Sequence, residues 1–192
     1  MRLTKAQRDE NHERIIRVAA KLFREKGVDG VGIDEIMATA DLTHGAFYGH
    51  FSNKAALVSA AGAYAIEHSG FRETGRKLGK GFLDMAQVYL TSKHRDDPGG
   101  GCAVAALGAD VSRQDAFVQE SFAAQIDVAL AELAAKLPGD RADARCDAIV
   151  KYATLIGAMV LARSVNKTPL SDELLETVRQ KLGVGEILQA GE

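Results

Sequence analysis

Tryptophan is absent from this 192-residue chain, and only three prolines and two cysteines occur in it. So few prolines leave long stretches free to run as unbroken helices. Alanine, leucine and valine dominate instead, which points away from a sheet protein with its heavier use of aromatic and β-branched residues. The composition predicts an all-α fold. The cysteines, Cys102 and Cys146, match no zinc spacing and no CxxC motif, so neither a metal nor another cofactor is expected. One disulfide between them is arithmetically possible, with no feature to support it. Long apolar runs are also missing. The longest near the end, YATLIGAMVLA (152–162), is too short to span a bilayer and is bracketed by Lys151 and Arg163. The opening MRLTKAQRDENHER is charged throughout and lacks the apolar stretch of a signal peptide. Together these features predict a soluble, cytoplasmic protein with reduced thiols and no membrane partner.

Net charge is slight, -2, but it is unevenly spread. Residues 1–26 hold eight Lys and Arg against four Asp and Glu, whereas residues 55–192 are mildly acidic. A basic end on an acidic body suits contact with a polyanion through that end alone.

Apolar spacing predicts a helix over 9–26, with Ile15, Ala19, Leu22 and Phe23 on one face and Arg14, Arg17, Lys21 and Arg24 on another. Gly27 is its stop. The linker GVDGVG leads to a short helix carrying Ile33, Ile36, Met37 and Ala40, and Asp41-Leu42 makes a tight turn because Asp tolerates the left-handed conformation. Thr43 is expected to cap a helix that begins at His44 and ends before Ser52-Asn53. From Lys54 a long helix runs to about residue 70. Further helices are expected over 80–93, 112–137, 141–165 and from a Ser171 cap to 182, with HRDDPGGG (94–101) as the clearest loop.

A longer basic helix followed by two short helices on a tight turn is a helix-turn-helix arrangement. The second short helix has little to bury except Phe47 and Phe51, four apart on one face. Its remaining residues are small or carry hydrogen-bonding tips: Thr43, His44, Gly45, Ala46, Tyr48, Gly49 and His50. Such a surface can approach a DNA groove closely and reach base edges and phosphates. Lys54 opens the next helix, where an ammonium and free N–H groups suit a phosphate. Taken alone, two histidines and a tyrosine on a helix are more often an ordinary solvated face. His44 and His50 are six apart and do not make a metal pair at i, i+4.

Residues 10–57, and above all AAKLFREKGVDGVGIDEIMATADLTHGAFYGHFSNKAAL, resemble the N-terminal DNA-binding domain of the TetR family of bacterial transcription regulators. The resemblance implies a three-helix DNA-binding domain over 1–54 and a helical ligand-binding and dimerisation domain over 55–192. It implies that Tyr48, His50 and Lys54 grip phosphates and that Thr43 stands at the start of the recognition helix. His44, Gly45, Ala46 and Gly49 then lie nearest to base edges. Gly32 departs from the family, which often has a capping Thr there, and Asp41 replaces the usual turn glycine.

The helix over 141–165 is apolar on all sides. One side has Cys146, Ile149, Val150, Ala153, Ile156, Gly157 and Val160, and the other Leu155, Ala158, Met159 and Ala162. A helix of this kind should be buried all round. One face is therefore expected in the protomer's core and the other against a second copy, with Gly157 and Ala158 permitting close approach. The resemblance likewise implies a homodimer, a double-stranded DNA operator and a small-molecule effector. Phe82, Met85, Tyr89, Phe117, Phe122, Gln125, Tyr152 and Met159 are candidates to line an effector cavity, though each taken singly is ordinary core material. Cys102, after three glycines and before a short apolar helix, is a candidate sensor of oxidants or electrophiles, since a helix start favours a thiolate. Packing in a tight helix contact is its commoner fate.

The leading expectation is thus a ligand-responsive regulator, most simply a repressor on a palindromic operator. An enzyme is the first rival, because His94, Asp97 and Cys102 lie close in sequence, but no catalytic residue set accompanies them. A non-specific architectural DNA protein would need a more basic surface.

Overall fold

The computed structural model describes residues 4–69 and 81–184. Among them every regular element is helical, so the all-α expectation holds. The chain forms two compact units, Met1–Ser69 with Cys102–Ile126, and Gly70–Gly101 with Asp127–Glu192. These units are cut differently from the functional division at residue 54 expected from the sequence. Segment 102–126 groups with the N-terminal residues.

The first unit opens with α1 (Lys5–Lys26). It starts four residues before the apolar spacing does, because Thr4 builds a reciprocal cap. Gln7 N–H donates to Thr4 Oγ1 at 3.2 Å, and Thr4 N–H donates to Gln7 Oε1 at 2.9 Å. Ile15, Ala19, Leu22 and Phe23 are buried on the predicted face. At the other end Gly27 takes a φ of 78°, and its N–H donates to Phe23 O at 2.8 Å. α2 (Ile33–Thr39) buries Ile36 and Met37 and starts at Gly32 without a side-chain cap. Asp41, at φ 58°, turns the chain, while Leu42 N–H donates to Met37 O at 2.9 Å.

Residues His44–Gly49 form a 3-10 helix rather than the expected α-helix. Two glycines in six residues lower α-helix propensity by about 1 kcal/mol each, and Phe47 and Phe51 anchor the tighter winding. Thr43 occupies the N-cap position but makes no side-chain capping bond, contrary to expectation. α3 (Lys54–Glu67) is capped by Asn53, whose Oδ1 accepts from Ala56 N–H at 2.8 Å. It ends before residue 70, which lies outside the described residues.

Among the described residues, three more helices follow before the next long one. α4 (Phe82–Tyr89) and α5 (Ser92–Asp96) belong to the second unit, and α6 (Ala103–Val111) to the first. The predicted 80–93 helix is broken at Leu90-Thr91 and starts after Gly81; residue 80 lies outside the described residues. The loop expected at 94–101 is helical through Asp96, because Thr91 caps α5 with a bond from His94 N–H at 3.2 Å. In the first unit, α6 adds Ala103, Leu107 and Val111 to the core. Asp110 Oδ2 accepts from Val28 N–H at 3.0 Å, beside the α1–α2 corner.

α7 (Ala116–Ala134) is shorter at both ends than the predicted 112–137. Its Phe122 ring lies so close to Gly62 of α3 that a Cβ there would come within 2.3 Å. In the second unit α8 (Arg141–Ser164) is capped by Asp140, whose carboxyl is held below its usual range by N–H donors from Asp143 and then Ala142. α9 (Pro169–Lys181) begins at Thr168-Pro169, since proline is pre-set for a first helical turn. Ser171 is therefore not its cap. It is fully buried, donates to Ala162 O at 2.8 Å and accepts from the Arg95 guanidinium at 2.9 Å. Arg163 in turn donates to the carbonyls of His94 (2.9 Å) and Arg95 (3.1 Å), tying α5 to α8.

Candidate nucleic-acid interface

Segment 43–50 is pinned from beneath. Phe47 is fully buried and Phe51 nearly so, with ring centroids 5.8 Å apart. Burying two such rings stabilises the segment by about 1.5–3 kcal/mol each. Ala46 is half-buried and packs against the same core, which puts it further from solvent than the resemblance implies. Thr43, His44, Gly45, Tyr48 and Gly49 are exposed, and His50 is half-buried. Tyr48 stands 62% exposed, its ring edge-on to Phe47 at 5.2 Å and tilted to His44 at 5.8 Å. Lys54 is half-buried at the first position of α3.

Neither packing nor a positive φ requires Gly45 or Gly49 to be glycine. A Cβ added at Gly45 or Gly49 would meet nothing within 4 Å, and neither residue has a positive φ. By contrast, a Cβ at Gly30 would collide with Lys26 O at 2.2 Å. What Gly45 and Gly49 keep clear is space outside the protein.

Two neighbours escape a sequence reading because nothing in their spacing marks them. His12 of α1 stacks on Phe51 at 4.7 Å and lies 5.8 Å from the His50 ring. Burial, reinforced by His12 and Arg8, lowers the His50 imidazole below the ordinary histidine range. Asp34 of α2 contacts His44, its Oδ1 against the ring Nδ1.

The candidate effector residues divide between the units. Phe82, Met85, Tyr89 and Met159 are buried in the second unit and Tyr152 is half-buried there, while Lys151 Nζ sits 5.6 Å over the Phe82 ring. Phe122, against Gly62, and half-buried Gln125 belong to the first unit. Phe117 is 59% exposed and lines no interior, a correction to the expected set. The next residue, Val118, takes the inward position on α7 and is fully buried.

The two thiols also reverse the expected order. Cys102 is 7% exposed, and Cys146 is exposed. Helix α8 carries apolar residues on both flanks, so its sequence pattern did not reveal which face turns out. Of the residues considered for catalysis, His94 uses Nδ1 on Tyr89 O at 2.8 Å, and burial lowers its imidazole below the usual range. Asp97 Oδ1 accepts from Gly100 N–H at 2.9 Å, closing the loop on itself. Among the described residues no group of His, Cys, Asp and Glu is arranged to hold a metal ion. No described helix is long and apolar enough to cross a membrane.

Residues 15–61 match the family model described as bacterial regulatory proteins, tetR family. The TetC protein of transposon Tn10 from Escherichia coli is 49% identical over 49 residues, 26% of this chain and 25% of its own. The HTH-type transcriptional regulator AcrR of Shigella flexneri is 40% identical over 58 residues, 30% of this chain and 27% of its own. The matched stretch thus spans about a quarter of the length of these curated relatives. Over nearly the whole chain, a TetR transcriptional regulator from Chloroflexus aurantiacus has the same fold. Its TM-score is 0.70 at 27% identity, with 92% of this chain and 94% of that one covered. The exposed, glycine-spaced segment on its aromatic anchor lies within residues 15–61, the stretch that matches the tetR family of bacterial regulatory proteins.

Proposed function

We propose that the chain is a transcriptional regulator that binds a palindromic DNA operator as a homodimer and lets it go when a small-molecule effector binds. The observation that carries this reading is the open face over Gly45 and Gly49, where a Cβ would meet nothing of the protein within 4 Å. A backbone so bared can enter a major groove, with Thr43 and His44 toward base edges and Tyr48, His50 and Lys54 toward phosphates. Thr43 keeps its hydroxyl clear of capping. The expected experiment is selection from a randomised DNA pool by the full-length protein. It should enrich an inverted repeat whose half-sites lie one helical turn apart, roughly 34 Å, or a multiple of it. Gly45→Ala should leave the melting temperature unchanged or slightly raised and weaken binding. A protein that enriches no sequence would overturn the reading.

The homodimer is supported by the outer side of α8, where Ile149, Val150, Val160 and Leu161 are 40–64% exposed, and by Leu170 of α9 at 48%. Ala158 does not belong to this surface; it is 5% exposed and packs inward with Leu155, Met159 and Ala162. The effector and the direction of control, repression, are parts of the same proposal. The burial of Cys102 counts against the alternative in which its thiol is the sensor.

A further inference from the structure

We propose that Asp34 is a positioning residue for base reading: its carboxylate holds His44 in one tautomer, so that the ring offers Nε2 as an acceptor to the amino group of adenine or cytosine. The assignment rests on the DNA-reading function proposed above. Asp34 is the second residue of α2 and His44 the first of the 3-10 segment. The turn through Asp41 folds these ten-residue neighbours together, placing Oδ1 against Nδ1. An ionised carboxylate only accepts hydrogen bonds, so the proton of a neutral ring must sit on Nδ1. The lone pair is then on Nε2. An unrestrained imidazole exchanges between two tautomers, one a donor and one an acceptor at Nε2, and would read bases ambiguously. Fixed as an acceptor, it matches adenine N6 and cytosine N4 in the major groove and meets only acceptors on guanine O6 and thymine O4.

The surroundings suit this role better than a stabilising one. Both side chains are well exposed, 49% for His44 and 85% for Asp34, and an exposed pair of this kind adds little to stability. A carboxylate beside a DNA-reading residue opposes the phosphate field. Its presence there calls for another use. Tyr48 stands 5.8 Å to one side of the His44 ring, and the space over Gly45 is open to a base edge.

The test uses full-length protein in two arms. The first follows the ring nitrogens of His44 by ¹⁵N NMR across a pH series and reads the form that carries a single ring proton. Wild type should show the Nδ1–H tautomer. Asp34→Asn, whose amide can either accept from Nδ1–H or donate to a bare Nδ1, and Asp34→Ala should both give a mixture. The second arm is selection from randomised DNA. Wild type should prefer adenine or cytosine at one position of each half-site by about tenfold, the scale of one base contact. Asp34→Ala and His44→Ala should lose the preference at that same position, and the double variant should be no broader than His44→Ala. A mixed tautomer in wild type, or a wild-type preference for guanine or thymine there, overturns the assignment. An enriched site that Asp34→Ala reads unchanged overturns the role of Asp34 alone. A wild type that enriches nothing overturns the DNA-reading function, and the base-reading role with it.

Discussion

Residues 43–50 and the outer side of α8 both face away from the core of their own unit, yet they are built in opposite ways. The first sets small and hydrogen-bonding residues over a buried aromatic pair, Phe47 and Phe51. The second exposes Ile149, Val150, Val160 and Leu161, with Leu155, Met159 and Ala162 buried on the far side of the same helix. A polar face with bare backbone suits a hydrated, charged partner that is read and released. An apolar face suits a partner that removes it from water, and a second copy of the chain does so symmetrically. The contrast shows which departures from ordinary packing carry information: glycine where space is free, and large aliphatic side chains where water is.

The comparison breaks most sharply at its aromatic anchor. Phe47→Ala should destabilise the first unit by about 3–5 kcal/mol, since it empties a fully buried position. Chemical denaturation followed by circular dichroism reads the loss. An effect below about 1 kcal/mol would mean that the segment is not held by this ring. On the other face, Val150→Glu should cost little in the isolated protomer, where the side chain is 64% exposed. In a dimer it would bury a carboxylate at about 2 kcal/mol or more. Sedimentation should then show monomers, with operator affinity down more than tenfold. A wild type already monomeric at micromolar concentration would contradict the homodimer.

A smaller change separates gripping from reading. Lys54→Ala should weaken binding to all sequences alike and flatten the salt dependence by about one unit of log–log slope. Fluorescence anisotropy at several salt concentrations measures both. The smallest effect expected is on pH. The folded protein holds His50 and His94 below the ordinary histidine range, chiefly through burial. Their contribution to stability is therefore complete above the unfolded-state value of about 6.5 and is lost as pH falls through the lower folded values. Melting temperature should decline on acidification over that window, and His94→Gln should remove part of the decline. A melting temperature that is flat or rising on acidification would reverse the sign.

The first face was more legible in the sequence than the second because its signals are local. Phe47 and Phe51 stand four apart, Asp41 marks the turn, and the glycines interrupt what would otherwise be a helix. The 3-10 winding was less legible, since it reflects the balance between two glycines and an aromatic anchor. Apolar periodicity marked α8 as buried all round, but it does not say which flank meets its own protomer. Hence Ala158 was expected at the interface and lies inside, while Cys146 was expected inside and lies out. Ser171 has the chemistry of a cap, but its hydroxyl is taken up by Ala162 and Arg95, partners 9 and 76 residues away. The Asp34–His44 contact falls outside any helical repeat, because it crosses the turn between two elements.

The grouping of segment 102–126 with the N-terminal helices bears on how such regulators can be recombined. A head cut at residue 69 would lose Leu107, Val118 and Phe122 from its core. It would also bare the groove at Gly62 and strand the Val28 N–H that Asp110 satisfies. Grafting this head onto a different helical body therefore calls for two splices, one after Ser69 and one that carries Cys102–Ile126 across with it. The reading head is continuous in space and discontinuous in the gene, so a chimera joined at a single crossover inherits half of an interface.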